Sequence, residues 1–398
     1  MSLSNNDKLS RISFITSTGD YISLFAYVIL LAEIGKNPIY AGLVLPTQGI
    51  GNAIGAFFFP RLVSNSPSRT VLFITQFLMG LLSLILLFFW SRPTLPSIYL
   101  ILGICLIQSA LGRSFSAAKE TYSKQTESEE LQLHKNSHRS LQAQLEKGLL
   151  AGQFLGPIIF FILIGILKFP VTTALALDTI TFFTSALMTL RLKNYLLHNT
   201  YLHILNPLKY LKRSPELLQI FLIRGIGMWI SLGLYNLLLF PLTKSNYNLD
   251  IVYSTWVYSL IGLGALLSTR YLQSHAHTIS NRHLLIGSFI GFSLAFLIYG
   301  FSKSIYFGAL ATIFVGITNG IHKVSTRAIM RGLCNESEYA ETLSLEFFIG
   351  KGVELAVVTT SIALLPHETQ WPPLVWISSG VFCIMALWVL ISPHKTHT

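Results

Sequence analysis

The chain has 398 residues, of which 52% are hydrophobic and 11% are charged, and its formal net charge is +11. An ordinary soluble domain carries about 25% charged residues, so this composition excludes a single soluble globular core. It favours a stack of membrane helices, because each such helix satisfies its own backbone hydrogen bonds in lipid. We therefore expect an all-α polytopic membrane protein.

Twelve segments are apolar over roughly the 20 residues that a helix needs to cross a bilayer. The first of them lacks a small-residue cleavage site and is long enough to remain a span, so no signal peptide is expected. We expect the twelve spans at 12–34, 39–60, 70–90, 97–118, 142–167, 170–190, 217–240, 251–272, 283–301, 304–326, 342–365 and 374–392.

The Lys and Arg residues between these spans are distributed unequally. Eighteen of them fall on the side of the N-terminus and five on the opposite side. Cytoplasmic loops carry the excess of positive charge in membrane proteins, so both termini are predicted in the cytoplasm and the chain in the inner (cytoplasmic) membrane. Anionic lipid headgroups account for the net charge, and no nucleic-acid partner is expected.

The chain shows a weak internal repeat around its midpoint. GDYISL at 19–24 matches GMWISL at 227–232, and GAFFFPR at 55–61 matches GALLSTR at 264–270, both at an offset of about 208. The stretch 192–216 between them reads as an amphipathic linker on the membrane surface. We expect two six-helix bundles at 1–191 and 217–398, the parallel repeat of one large class of secondary transporter.

Several segments resemble the major facilitator superfamily, within it the branch of siderophore and macrolide exporters. The matching segments are Gly19 with Asp20 in the first span, Leu45 with Pro46 in the second, the linker stretch 208–215, and Gly152, Gly156 and Pro157 in the fifth. The chain departs from that pattern at Phe160 and Phe161, where glycines are usual. It also lacks the aspartate of the loop motif after the second span.

This resemblance implies two six-helix bundles around a central cavity lined by spans one, four, seven and ten. Each of these spans carries a charged residue that is a candidate for the cavity: Asp20, Arg113, Arg224 and Lys323. An intramembrane charge is costly and usually functional. The alternative is that these side chains extend to the headgroups, which Asp20 is too short and too deep to do.

Asp20 and Arg113 lie at similar depth on neighbouring cavity helices, so we expect them to pair. Such a pair keeps an aspartate ionised, and breaking it when the cavity opens would allow protonation, as a proton-coupled switch requires. The alternative is a static pair that fixes the register of the two helices.

Other charged residues have candidate roles outside these four spans. Glu146, next to Lys147, lines the pathway or only marks the cytoplasmic start of the fifth span. Glu346 and Glu354 share a helical face with Lys351, which is expected to pair with Glu354 and to close the interface between the halves. Asp178 is expected to bond a neighbouring polar group rather than substrate.

Gly148, Gly152 and Gly156 are four residues apart and are followed by Pro157. Small residues at this spacing let membrane helices approach closely, and proline bends a helix. We expect this face to act in gating as the halves move, with ordinary membrane packing as the alternative. Gly51 and Gly55, Gly287 and Gly291, and Gly316 and Gly320 repeat the spacing.

One negative and up to three positive charges in the cavity suit an anionic solute. We expect a monomeric, proton-coupled exporter of a small anionic metabolite, with a siderophore-like molecule favoured. The alternatives are import of a siderophore or nutrient, and lysophospholipid flipping, to which FSAAK at 115–119 is loosely similar. No catalytic motif, cofactor site or metal-ligand set is evident, so no enzyme activity, cofactor or metal is expected.

Overall fold

A computed structural model describes most of the chain. The described residues are 5–35, 43–64, 66–90, 95–126, 138–194, 215–224, 235, 251–275, 279–334, 339, 342–343, 345–350, 352–353, 356 and 371–391. The statements below concern these residues. The predicted partners Lys351 and Glu354, and nearly all of the linker 192–216, lie outside them.

The described secondary structure is helical, and each predicted span contains described helical residues. The first half has α1 (Asn5–Gly35), α2 (Val44–Ser64), α3 (Ser68–Phe89), α4 (Leu95–Gln125), α5 (His138–Phe160), a π-helix π1 (Phe161–Ile166) and α6 (Val171–Thr189). The second half has α7 (Pro215–Leu222), α8 (Ile251–Ser274), α9 (Asn281–Phe301), α10 (Ile305–Leu333), α11 (345–350) and α12 (Trp371–Ile391).

Eight of the described helices are long and apolar enough to cross a membrane. They correspond to the predicted spans one, three to six and eight to ten. We call the end of the bundle at which α1 begins the basic end, and it is the end predicted to face the cytoplasm.

Several helices extend further at the basic end than the hydropathy pattern predicted. α4 continues to Gln125 instead of 118, and α10 to Leu333 instead of 326. Most polar residues of these extensions are buried. Arg331 of α10 bonds Glu120 and Ser123 of α4, and Arg327 of α10 bonds Glu346 of α11. A helix can continue through polar residues when these are paired in the protein interior. The hydropathy pattern ends a span where polar residues begin, so it placed the ends of α4 and α10 too early.

Glycines four residues apart bring neighbouring helices into contact. A Cβ at Gly51 or Gly55 of α2 would overlap the backbone of α4, and one at Gly316 of α10 would overlap the backbone of α8. At Gly287 of α9 a Cβ would meet nothing within 4 Å among the described residues. The predicted glycine faces of α2 and α10 are therefore close helix contacts at both of their glycines. The face of α9 is a close contact only at Gly291, which faces Thr318.

The two halves meet along α5 and α8. Backbone atoms of Gln153 and Phe154 lie against Gly262, and the ring of Phe161 contacts that of Tyr253 with centroids 5.6 Å apart. On the other face, α5 packs against α1 of its own half. α5 therefore lies between the first half and the second, and it bounds the space between them.

Candidate functional site

A polar cavity of about 360 Å³ lies between the halves. It is bounded by residues of α1 to α5, α8, α10 and α11, together with Arg224 just after α7. Among the described residues, seven charged side chains line it: Asp20, Glu120, Glu146, Arg113, Arg224, Lys323 and Arg327. All four charges predicted for the cavity are therefore in its wall, and three further ones join them.

Asp20 faces this cavity from the middle of α1. Its backbone oxygen accepts a hydrogen bond of 3.1 Å from Ser23 Oγ, while its carboxylate forms no ion pair with a described residue. The rings of Tyr21 and Tyr258 meet beside it, with centroids 5.8 Å apart. Asp20 is thus a partly exposed carboxylate in the cavity wall.

The predicted ion pair between Asp20 and Arg113 is wrong in this structure. Arg113 reaches across to the other half, where Nη2 donates to the backbone oxygen of Leu343 at 3.0 Å. Its guanidinium also lies 3.8 Å from the centroid of the Phe347 ring, a cation–π contact. The long arginine side chain therefore points toward the second half and away from Asp20.

Glu346 of α11 holds two arginines of the second half. Arg224 Nε bonds its Oε1, and Arg327 Nη2 lies 3.1 Å from its Oε2. Arg224 also donates to Thr326 Oγ1 at 2.7 Å. All these side chains are buried. Glu346 thus stabilises the second half internally, while the predicted pair of Lys351 with Glu354 lies outside the described residues.

Glu146 and Lys323 form an ion pair that joins the halves. Lys323 Nζ of α10 lies 2.7 Å from Oε2 of Glu146 on α5. Lys147, the neighbour of Glu146, is exposed on the opposite face. The reading of Glu146 as only the start of the fifth span is therefore incorrect, and Lys323 is paired inside the protein instead of extending to the headgroups.

Sequence reasoning missed a second cluster closer to the basic end. Arg331 Nη2 of α10 lies 3.2 Å from Oε2 of Glu120 on α4, and Tyr339 Oη donates to the same oxygen at 3.2 Å. The sequence does carry a signal for it, because Lys323, Arg327 and Arg331 are spaced four apart and so share one face of α10. The charge distribution places Arg327 and Arg331, but not Lys323, on the cytoplasmic side of the tenth span.

Described polar contacts between the halves concentrate at the basic end. Besides the two clusters above, Lys124 Nζ donates to the Arg331 backbone oxygen at 2.9 Å. Arg139 donates to the Ile279 oxygen at 2.7 Å and to Asn281 Oδ1 at 2.6 Å. These contacts hold the halves together between the cavity and the basic end.

The glycine face of α5 packs inside the first half. A Cβ at Gly152 would lie 2.7 Å from Thr18 N, and one at Gly156 would lie 2.7 Å from Thr18 O and 2.9 Å from Tyr21 Cβ, while at Gly148 it would overlap Ser10 O. This face therefore fixes α5 on α1. Pro157 lies within α5 shortly before π1, where the regular hydrogen-bond ladder is interrupted.

Gly262 is a glycine at which the two halves meet, because its Cβ would overlap Phe154 N across the halves. For the transport activity that the sequence resemblance implies, we expect Gly262→Leu to reduce transport strongly while the protein still accumulates in the membrane. Gly156→Leu should instead lower accumulation, since it separates α1 from α5 within one half. Transport in vesicles, normalised to protein by immunoblot, distinguishes the two effects. Equal loss of accumulation in both variants would contradict this assignment.

The chain matches known proteins in structure and not in sequence. No family model and no curated protein matches the sequence. The human organic anion transporter MFSD10 (TETRAN) superposes with a TM-score of 0.76 at 12% identity, over 97% of this chain and 100% of that one. A bacterial homologue of the iron transporter ferroportin, in an outward-facing state, gives 0.69 at 16% identity over 98% and 99%.

The proton:xylose symporter XylE of the major facilitator superfamily (MFS), bound to 6-bromo-6-deoxy-D-glucose, gives a TM-score of 0.71 at 11% identity, over 97% of this chain and 94% of that one. At such identities the likeness concerns the fold alone. Nearly full coverage in all three cases agrees with the helical halves and the cavity between them. The chain is a multi-pass helical protein with the major facilitator fold.

Proposed function

We propose that this protein is a secondary active transporter of the cytoplasmic membrane that exports a small anionic metabolite in exchange for protons. A siderophore-like molecule is the favoured substrate. The observation that carries the proposal is Arg113, a cation in the cavity wall that has a backbone oxygen and a ring as partners and no carboxylate among the described residues.

The charge balance of the cavity supports an anionic substrate. Its described wall has four cationic and three acidic side chains, and two of the acids, Glu120 and Glu146, are engaged by Arg331 and Lys323. Arg113 therefore remains available to bind a carboxylate of the substrate. A guanidinium binds a carboxylate through two parallel hydrogen bonds. The volume of about 360 Å³ suits a small molecule.

Anion binding at Arg113 also provides a way to open the basic end. The same guanidinium donates to Leu343 O of the second half. A substrate carboxylate is a stronger acceptor than a backbone oxygen, so it competes for that contact and weakens one link between the halves. Asp20, which has no ion-pair partner among the described residues, is the carboxylate that would take up the exchanged proton. Transport, and not catalysis, is therefore the proposed role.

Two of the similar solved structures accord with this assignment. MFSD10 is described as an organic anion transporter and XylE as a proton symporter. Import of a siderophore or nutrient remains the alternative in direction. Lysophospholipid flipping is the alternative in substrate, resting on FSAAK at 115–119.

Everted membrane vesicles with an imposed pH gradient provide the test of this proposal. Citrate or an iron-free carboxylate siderophore is expected to dissipate the gradient, and the lipophilic cation tetraphenylphosphonium is not. Arg113→Gln should raise the half-saturating anion concentration about tenfold or more, because a hydrogen bond to a charged group contributes ~1.5–3 kcal/mol. Arg270→Gln, at an exposed position of α8, is the matched control.

Dissipation by the cation and not by the anions would contradict the anionic substrate. Anion movement only in right-side-out vesicles would reverse the direction to import. Transfer of a labelled lysophospholipid by the wild type, with no response to the soluble anions, would favour the lipid alternative.

A further inference from the structure

Two arginines of the cavity wall have guanidinium N–H groups without a hydrogen-bond partner. Nε of Arg113, and both Nε and Nη1 of Arg327, are buried and unpartnered among the described residues. The two residues are 2% and 4% exposed, and both line the cavity. A buried polar group without a hydrogen bond is costly, and a charged one is more so. These N–H groups therefore indicate a place for an acceptor that the described part of the chain does not supply.

The two guanidinium groups meet on one short stretch of the second half. Arg113 contacts the backbone oxygen of Leu343 and the ring of Phe347, and Arg327 Nη2 bonds Glu346. The three contacted residues fall within five positions of the chain, in α11 and just before it. Arg113 belongs to α4 of the first half and Arg327 to α10 of the second. One guanidinium of each half therefore lies against the same part of the cavity wall.

Arg113 and Arg327 also lie at neighbouring depths in the bundle. α4 and α10 both end at the basic end, where the bond of 3.2 Å between Arg331 and Glu120 joins them at one level. Arg327 comes four residues before Arg331, and Arg113 seven residues before Glu120. At 1.5 Å per residue these counts correspond to roughly 6 Å and 10.5 Å, so the two backbone positions differ by about 4.5 Å in depth.

The charged groups around Arg113 include both signs. Those close enough to interact with it electrostatically are Arg224, Arg327, Glu120 and Glu346. Glu120 is the acid that Arg331 engages, as described above. The approach of Arg327 to Arg113 is therefore seen in the electrostatics as well as in the contacts of the two side chains with α11.

The arginines around α11 carry more positive charge than their carboxylate compensates. Arg113, Arg224 and Arg327 are three cations, and Glu346 is the carboxylate that the last two share. Three cations and one carboxylate give a local charge of +2. Of the three described acids of the cavity wall, two are paired with other cations, and Asp20 is the proposed proton carrier. Uncompensated buried charge is costly, and a doubly charged anion would compensate it.

We propose that Arg327 is a second anion-binding residue of the cavity, and that the substrate carries at least two carboxylates, one held by Arg113 and one by Arg327. The inference rests on the proposed anion transport and narrows its substrate class to polycarboxylates. A single small dianion such as phosphate fits less well, because the two arginines approach from different helices at different depths. A polycarboxylate held in this way bonds both halves of the protein at once.

Succinate and succinamate are the matched probes for this inference, because they share a carbon skeleton and differ in one carboxylate that is replaced by an amide. Their binding to the purified full chain is measured by isothermal titration calorimetry, at a mildly alkaline pH at which succinate carries two charges. We expect the wild type to bind succinate about tenfold or more tightly than succinamate, since one hydrogen-bonded charge pair is lost with the amide. This comparison needs no variant, so it does not depend on the folding of a mutant protein.

Variants then assign the two carboxylates. Arg327→Gln should abolish the preference for succinate and leave succinamate binding nearly unchanged, whereas Arg113→Gln should weaken both and the exposed Arg270→Gln neither. Equal binding of the two probes by the wild type, or a preference that survives in Arg327→Gln, would overturn the second carboxylate site while anion binding at Arg113 stands. Inorganic phosphate bound as tightly as succinate would also overturn it, in favour of a single dianion. Failure of both probes to bind would contradict the proposed function itself, and the inference with it.

Discussion

Asp20→Asn is expected to abolish transport driven by a pH gradient while leaving substrate binding in place. The amide keeps the size and hydrogen-bonding capacity of the side chain but cannot bind and release a proton. Since Asp20 faces the cavity without an ion-pair partner among the described residues, its replacement leaves no buried cation uncompensated. The measurement is gradient-driven flux in vesicles, together with substrate counterflow, which needs no proton cycle.

Asp7→Asn is the matched control for this variant. Asp7 lies near the start of the same helix, outside the cavity, where its Oδ1 accepts from Gln144 Nε2 at 2.8 Å. Full gradient-driven flux in Asp20→Asn would remove Asp20 from the coupling mechanism. Loss of counterflow together with flux would assign Asp20 to substrate binding instead.

Glu346→Gln is expected to destabilise the second half severely. The carboxylate holds Arg224 and Arg327 in a buried site, and removing one partner of a buried ion pair typically costs ~3–5 kcal/mol because a charge remains uncompensated. We expect a lower unfolding temperature in detergent and reduced accumulation. Glu216→Gln, at the partly exposed start of α7, should behave like the wild type.

A double variant separates this electrostatic cost from a general packing defect. Adding Arg327→Gln to Glu346→Gln removes one of the uncompensated charges, so part of the lost stability should return. A double variant less stable than Glu346→Gln alone would show that the cost lies in packing and not in charge.

Helix content and the positions of the spans could be predicted because they depend on local properties. Hydropathy over about 20 residues identifies a membrane helix, and glycines four apart identify a face for close packing. The predicted faces at Gly51 with Gly55 and at Gly316 with Gly320 are tight contacts in the structure. Local patterns located Asp20, Arg113, Arg224 and Lys323 within spans, and the resemblance to a known fold predicted the shared cavity that they line.

The partners of these residues could not be predicted in the same way. Helical spacing says which side chains share a face but not which distant helix that face meets. Gly152 and Gly156 lie against α1 and not against the second half, and Arg113 contacts Leu343, 230 residues away in sequence. A long guanidinium can reach in several directions, so its contact depends on how the whole bundle is packed.

The sequence by itself determined the membrane class of this protein and most of its helical spans, and it singled out four of the seven described charged residues in the cavity wall. The tertiary structure decided that Lys323 bonds Glu146, that Arg331 bonds Glu120, and that Ser83 donates to the buried Asp178. The physical reason is that burial and ion pairing change the free-energy cost of placing a charged side chain in the protein interior. Hydropathy assigned Glu120 and Arg331 to the membrane surface, whereas their mutual contact makes a buried, helical position favourable.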